Sequence, residues 1–344
     1  MSNTHVMSGY TEAIANLPKE AFLGSLIFFS ISGADVNLAQ ARQNLVSAGL
    51  SIDGLRKNLR PVDAFRKASN DFKKRFSVTP TGIRSELMVR PVGEDGEQSY
   101  RHLVLERTVV EKGKKRRLFY DKVAELTFTR GVKKKGEYAG HGVETRRMTN
   151  YTASPLTPEE DQWLTEKLIT FPDSYHHLLA YMDSHAVRTF VREYIYGLSG
   201  ICVKGSGGLY FVAQRHADEI AKLGEWVRSI GSEFHALPLL NLIDQREMIL
   251  EAFEEEAVEE VERLMAEVAK ILQDPDRQIE EKTFDAYALR AAEMAQKIGE
   301  YNKMLGARAD RAGTEVSMYS QQVMSLLPRV RESRTPRTKV ESGV

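Results

Sequence analysis

Between residues 183 and 240 the apolar positions first recur at helical spacing, then crowd together, then return to helical spacing. Val187, Phe190, Val191, Tyr194, Ile195 and Leu198 share one face of a helix that Asp183 and Ser184 can cap and Gly200 ends. Ile201–Lys204 and Leu209–Ala213 read as two short strands around Gly205-Ser206-Gly207-Gly208, a turn rich in residues that accept positive φ. Ala217, Ile220, Leu223, Val227 and Ile230 line a second helix that stops at Gly231. Upstream, the apolar run 21–31 suits a buried strand and a core helix equally, because periodicity cannot choose for so short a stretch. Residues 37–48 predict a helix with Leu38, Ala41, Leu45 and Val46 inward and Gly49 as its stop; Pro61 opens another, with Asp63 at its positive dipole end.

From 81 to 130 the period becomes two. Residues 85–89, 102–107 and 122–128 predict strands of an antiparallel meander, joined by turns at 92–96 and 111–117, with a further turn at 131–136. Residues 136–155 read as a linker. Thr157 and Glu160 then stand at capping-box spacing before a helix running to Pro172, with a shorter helical piece at 175–182. Beyond 240 the chain is helical. Val258, Val261, Met265, Val268 and Leu272, then Phe284, Tyr287, Ala291, Met294, Ile298, Tyr301 and Leu305, alternate spacings of three and four, a heptad seam. A Pro-containing break at 274–276 turns the two segments into an antiparallel hairpin, with an intermolecular coiled coil as the competing arrangement. A third helix spans 314–327.

The expected fold is α+β, with an N-terminal helical and meander domain (1–150), a winged-helix-like central unit (157–240), a helical hairpin or coiled coil (241–328) and a disordered tail (329–344). A chain of 344 residues with 42% hydrophobic and 28% charged residues has enough apolar material for ordinary cores. Its single cysteine, Cys202, rules out an intramolecular disulfide and any multi-cysteine zinc site. No basic n-region with an apolar h-region opens the chain and the run 21–31 is too short to span a bilayer, so a cytoplasmic protein is expected, without membrane contact.

Charge changes this picture. The formal net charge is zero, yet residues 56–147 carry 24 Lys and Arg against 12 Asp and Glu, while residues 244–285 carry 5 against 15. A basic middle and an acidic later segment point to a polyanion partner for one or to pairing between the two, and two solvated faces are the plain alternative. Lys114, Lys115, Arg116 and Arg117 in one turn, and Lys133, Lys134 and Lys135 in the next, are the expected contacts for a phosphate backbone. A helix followed by a glycine-tipped hairpin is how a winged helix presents itself. Arg188 and Arg192, one turn apart and opposite the apolar stripe, would then face a DNA groove, with Lys204 on the wing. Helix followed by hairpin is also ordinary α+β connectivity.

The glycines at 205–208 lie between strands rather than between strand and helix, so turn chemistry is favoured over a phosphate cradle. Adjacent His176 and His177 point about 100° apart on a helix and make a poor metal pair. No catalytic residue, metal or cofactor is assigned, and enzymatic activity is left open with no motif in its favour. The expected function is that of a non-enzymatic DNA-associated protein. The alternative is an assembly factor recruiting a partner, or self-associating, through Val258, Val261, Met265, Ile298 and Tyr301.

Two stretches carry a family resemblance: 61–66 (PVDAFR) and 206–212 (SGGLYFV), the latter followed by the apolar strand 236–240 and a long helix. Together they resemble a family of unknown function from tailed phages and their actinobacterial relatives, over roughly 40–275. The resemblance implies a phage or mobile-element context and carries over no activity or catalytic residue.

Overall fold

The protein is described from a computed structural model at residues 16–33, 35–55, 59–76, 82–111, 114–134, 137–148, 156–204, 208–274 and 276–331, with backbone alone at 110–111, 114–119, 132–134, 137–139 and 331. In chain order the elements are β1 (Phe22–Ser30), β2 (Val36–Asn37), α1 (Leu38–Ser47), α2 (Pro61–Asn70), β3 (Lys74–Arg75), β4 (Ile83–Glu94), β5 (Gln98–Glu111) and β6 (Lys114–Thr129). Then come β7 (Val132–Lys134), β8 (Glu137–Ala139), β9 (Gly142–Arg147), α3 (Pro158–Ala180), β10 (Tyr181–Met182) and α4 (Ser184–Gly197). The chain continues through β11 (Ile201–Lys204), β12 (Leu209–Ala213), α5 (Ala217–Ser229), β13 (Glu233–Leu240), α6 (Ile243–Leu272), β14 (Ile279–Glu280), α7 (Glu281–Leu305), α8 (Asp310–Met324) and β15 (Val330–Arg331). The class is α+β with antiparallel main sheets. The chain separates into two compact units: one holds the described residues up to Ser32, 45–54 and those from Arg188 onward, the other 33–44 and 55–187.

The first unit is built on a sheet of order β11-β12-β1-β13, antiparallel throughout. The apolar run 21–31 is therefore a strand, and a central one: β1 pairs with β12 on one side and β13 on the other. Its continuous hydrophobicity follows, since a strand covered on both faces need not alternate. The same sheet takes in the 201–213 hairpin as β11 and β12. Tyr210, Phe211 and Val212 are buried in succession, and β12 is an interior strand rather than a free ribbon.

Helix α4 forms as its stripe predicts, burying Val187, Phe190, Val191, Tyr194 and Ile195. Its stop is not Gly200 alone. Ser199 takes the left-handed conformation (φ 58°), and Gly200 donates its amide to the Ile195 carbonyl at 3.0 Å. Glycine is required at 200 for space, because a Cβ there would stand 2.6 Å from the Ile195 carbonyl oxygen.

Helices α6 and α7 run antiparallel. Phe253 stacks on Tyr301 with ring centroids 4.2 Å apart, Lys297 bonds Glu256 at 3.3 Å and Arg290 bonds Glu260 at 3.0 Å, so the register descends along α7 as it climbs α6. Helix α8 completes the bundle, burying Ala312, Val316, Tyr319 and Val323 in the same core as Val261, Leu264 and Val268. The heptad seam is thus satisfied within one chain. Val258, Val261, Ile298 and Tyr301 are buried, with Met265 packed against the core, and this corrects their assignment as a docking surface.

These helices also seal the outer edge of the sheet. The Tyr301 hydroxyl donates to the Ser199 carbonyl at 2.8 Å and Lys297 to the Gly200 carbonyl at 3.2 Å, while the Cys202 amide donates to the Glu256 carboxylate at 2.6 Å. An open edge strand would otherwise offer these groups to another chain. Burial pushes the Glu256 carboxyl up, with the Lys297 charge opposing it. Tyr301→Phe removes one of these seals and leaves the Ser199 carbonyl unmet at a partly buried position. The expected cost to the first unit is roughly 1–2 kcal/mol, read as a lower urea midpoint with the slope unchanged.

The second unit is a sheet of order β3-β4-β5-β6-β9 with α2 and α3 on one face. Leu87, Val89, Leu103, Leu105, Ala124, Leu126 and Phe128 meet Phe65, Phe72, Leu164, Leu168, Phe171 and Tyr175 in one core. Burial pushes the Tyr175 hydroxyl up to about 12. The Thr157–Glu160 capping box is present, and α3 then continues through Pro172 to Ala180, where two helical pieces were expected. Leu164, Leu168, Phe171 and Tyr175 keep one buried face across the proline, and that packing offsets the lost amide. Residues 136–155 do not act as a plain linker: β8 and β9 lie there, β9 extending the sheet beside β6. Val46, expected inward, is 59% exposed, since Leu38, Ala41 and Leu45 already complete the buried face of α1.

Candidate nucleic-acid interface

Strands β4, β5 and β6 are longer than their apolar cores. The β5–β6 ladder runs on through Thr108↔Arg117, Val109↔Arg116, Val110↔Lys115 and Glu111↔Lys114. Lys114, Lys115, Arg116 and Arg117 therefore sit on a strand rather than in the predicted loop. β-Branched Thr108, Val109 and Val110 on the partner favour extended backbone, which a reading from hydrophobic alternation alone misses. Lys133 and Lys134 lie on β7, paired with β8, and Lys135 lies outside the described residues. The two basic segments fall at opposite ends of β6. β6 has sixteen residues and the first basic segment is its first four, so the remaining strand, at about 3.3 Å per residue, sets it roughly 40 Å from the far end, and the two are not neighbouring tips.

Register places further charged residues between those ends, on the face turned away from α2 and α3. Arg84 and Thr108 occupy one cross-strand row, Glu86, Glu106 and Tyr120 the next, then Met88, Val104 and Lys122, then Arg90, His102, Glu125 and Arg146, with Val104, Glu106 and Thr108 of the central strand buried. Burial in β4 alternates cleanly, with Ser85, Leu87 and Val89 inward and Arg84 and Arg90 exposed. At the centre, His102 Nε2 lies 2.9 Å from Glu125, and Lys122 reaches Glu125 at 3.1 Å and His102 at 3.3 Å. Burial pushes the Glu125 carboxyl up, but Lys122 and His102 more than offset this and leave it below the usual carboxylate range. Arg84, Arg90 and Arg146 form no ion pair among the described residues, so their charge is uncompensated at contact distance. These three were missed in the sequence. The period-two pattern Arg84-Ser85-Glu86-Leu87-Met88-Val89-Arg90 is the signal that identifies two of them.

Arg188, Arg192 and Lys204 belong to the other unit. Arg188 and Arg192 are exposed on α4 as expected, and Arg188 donates to the Ile31 carbonyl at 3.2 Å. Lys204 closes β11 and is exposed, while 205–207, the turn that would form a wing tip, lie outside the described residues. Among the described residues no cluster of three His, Cys, Asp or Glu could hold a metal ion, and no helix is long and apolar enough to cross a membrane. Cys202 is a half-buried thiol, pushed up by burial, whose Sγ lies 3.2 Å from the Lys204 carbonyl.

Comparison with curated proteins and with solved structures finds no match. Residues 22–332 match the model of a family of unknown function, a span that takes in both units from β1 to β15. The chain belongs to that family of unknown function, DUF6744.

Proposed function

We propose that this is a non-enzymatic nucleic-acid-associated protein of phage or mobile-element origin, which binds the phosphate backbone of DNA through the exposed arginines on the face of its five-stranded sheet turned away from α2 and α3. The carrying observation is the exposed arginine set Arg84, Arg90 and Arg146, without ion pairs among the described residues, on a sheet whose longest strand opens with a basic segment and is followed by another on β7. Exposed arginines spread over a face that also carries Glu86, Glu106 and Glu125 suit spaced contacts to an extended polyanion better than a small ligand. The origin rests on the family resemblance of residues 61–66 and 206–212. Arg188 and Arg192 are a second, separate contact surface in this reading. The assembly alternative loses its surface, because the residues that would recruit a partner are consumed inside the α6–α8 bundle.

Fluorescence anisotropy with labelled single- and double-stranded DNA over a salt series tests the proposal. Binding should weaken linearly in log-log form. Changing Arg84, Arg90 and Arg146 together to glutamine should flatten the slope by about 2–3. Absence of binding at low salt, or an unchanged slope, sinks it.

A further inference from the structure

A cleft of about 330 Å³ opens beside α2, lined by Phe65 and Arg66 from the helix, Pro91–Glu94 from the end of β4, and Ser99, Tyr100 and Arg101 from the start of β5. Its volume sits at the low end of small-molecule sites. It lies wholly within the second unit.

Three features of its wall point the same way. Arg101 is held by one nitrogen only: Nη1 donates to the Ser69 hydroxyl at 2.8 Å, the Asn70 side-chain oxygen at 3.2 Å and the Arg66 carbonyl at 3.3 Å. All three acceptors are neutral. Nε and Nη2 make no hydrogen bond among the described residues, so the guanidinium is fixed in orientation while most of its fork stays unused. Its carbon stands 5.9 Å from the Phe65 ring centroid, which further fixes the plane.

Second, Ser99 is only 4% exposed, yet its Oγ has no partner in hydrogen-bond geometry, although the hydroxyl lies close enough to Glu94 to help hold that carboxyl low. A buried hydroxyl left unmet is costly unless something meets it.

Third, the local charge is unbalanced at Arg101. The single carboxylate in the wall, Glu94, is already shared by Arg66 at 2.8 Å and Arg130 at 2.9 Å. Burial, together with the Arg66 charge nearby, holds the Arg101 guanidinium below its usual range, with Glu94 compensating only in part. An anion placed between Arg101 and Arg66 relieves that repulsion.

We propose that this cleft binds a small phosphomonoester, its phosphate held by the free edge of Arg101, the Ser99 hydroxyl and Arg66. A phosphate supplies three acceptor oxygens and close to two negative charges, which matches a guanidinium fork, a hydroxyl and a second cation better than a single carboxylate does. The site is distinct from the proposed DNA contacts: Ser99 and Arg101 face the helix side of the sheet, whereas Arg84, Arg90 and Arg146 face away.

Isothermal titration of the full chain with inorganic phosphate, a nucleoside 5′-monophosphate and a sugar phosphate, at low salt, tests it. One saturable site is expected. Arg101→Gln should weaken it at least ~10-fold and Ser99→Ala several-fold, while DNA anisotropy stays unchanged. The affinity order of the three probes separates capture of phosphate alone from recognition of the attached base or sugar. Because Arg101 also ties α2 to the sheet, Arg101→Gln could loosen the second unit. Ser99→Ala removes only the hydroxyl beside Glu94, leaves the ties between α2 and the sheet intact, and carries the test in that case. No saturable binding by any probe up to ~10 mM, or binding unchanged in both variants, overturns the proposal.

Discussion

Gly24→Ala is expected to destabilise the first unit by at least ~3 kcal/mol. A Cβ at Gly24 would overlap the Val212 carbonyl oxygen and stand 2.6 Å from the Phe211 ring. The oxygen belongs to the backbone of β12 and cannot swing aside as a side-chain end would. The β1–β13 register shifts between Phe22 and Gly24, so the glycine sits at the irregularity that brings β1 against its neighbour. Relief requires β1 to move away from β12 at the centre of the sheet. The two tryptophans make the measurement clean, since Trp226 lies in the first unit and Trp163 in the second. In a Trp163→Phe background, urea unfolding followed by Trp226 fluorescence reports the first unit alone. Gly299→Ala in the same unit is the contrasting case. That glycine is mid-α7, exposed, with no atom within 4 Å of a built Cβ, and alanine should stabilise by about 0.5–1 kcal/mol. Equal effects of the two substitutions would show that close backbone approach does not govern Gly24.

What could be read from the sequence followed from how many faces each element buries. Helices α4 and α5, with one apolar stripe each, were legible from spacing, and so were the α6–α7 pair and the capping box of α3. Strands buried on both faces were legible as apolar but not as to partner. Residues 22–30 and 209–213 are both continuous runs, and that shared property is the clue that they lie side by side in a sheet interior. No local pattern announces that a strand near residue 25 inserts between strands near 211 and 237. That pairing is long-range and emerges only when their buried faces must be covered together.

The candidate site was legible in sign and not in shape. Counting charge located the basic region, but Lys114–Arg117 read as a loop because four consecutive cations have no hydrophobic period. Backbone pairing to Thr108–Val110 makes them strand, and it sets them roughly 40 Å from the end of β6 that leads to Lys133 and Lys134. The cleft was not legible at all. Ser99 and Arg101 become chemically notable only because burial leaves one hydroxyl unmet and one guanidinium held by a single nitrogen, and neither fact is encoded in neighbouring residues.

Arg107→Met should cost the second unit about 3–5 kcal/mol at neutral pH. Arg107 and Glu160 form the most buried ion pair among the described residues, with side chains 10% and 4% exposed. Glu160 also accepts the Thr157 amide at 2.8 Å as the reciprocal half of the capping box. Burial pushes its carboxyl up, but Arg107, the Thr157 amide and Ser85 outweigh burial and hold it below the usual range. The sign follows from linkage. With its pKa depressed in the fold, the wild-type carboxylate contributes stability above its unfolded pKa and loses it as pH falls through the folded value. Without Arg107, burial dominates, the folded pKa rises, and the carboxylate becomes a cost that protonation removes. Stability lost at pH 7 should therefore be partly recovered on acidification in Arg107→Met, opposite in slope to the wild-type contribution from this group. Glu160→Gln added to Arg107→Met should restore much of the loss at pH 7, because glutamine still accepts the Thr157 amide without burying a charge. Urea midpoints from Trp163 fluorescence in a Trp226→Phe background, taken from pH 5 to 8, read all three variants. A penalty for Arg107→Met that neither falls with pH nor yields to Glu160→Gln would place the cost in lost packing around the arginine stem instead of in a stranded charge.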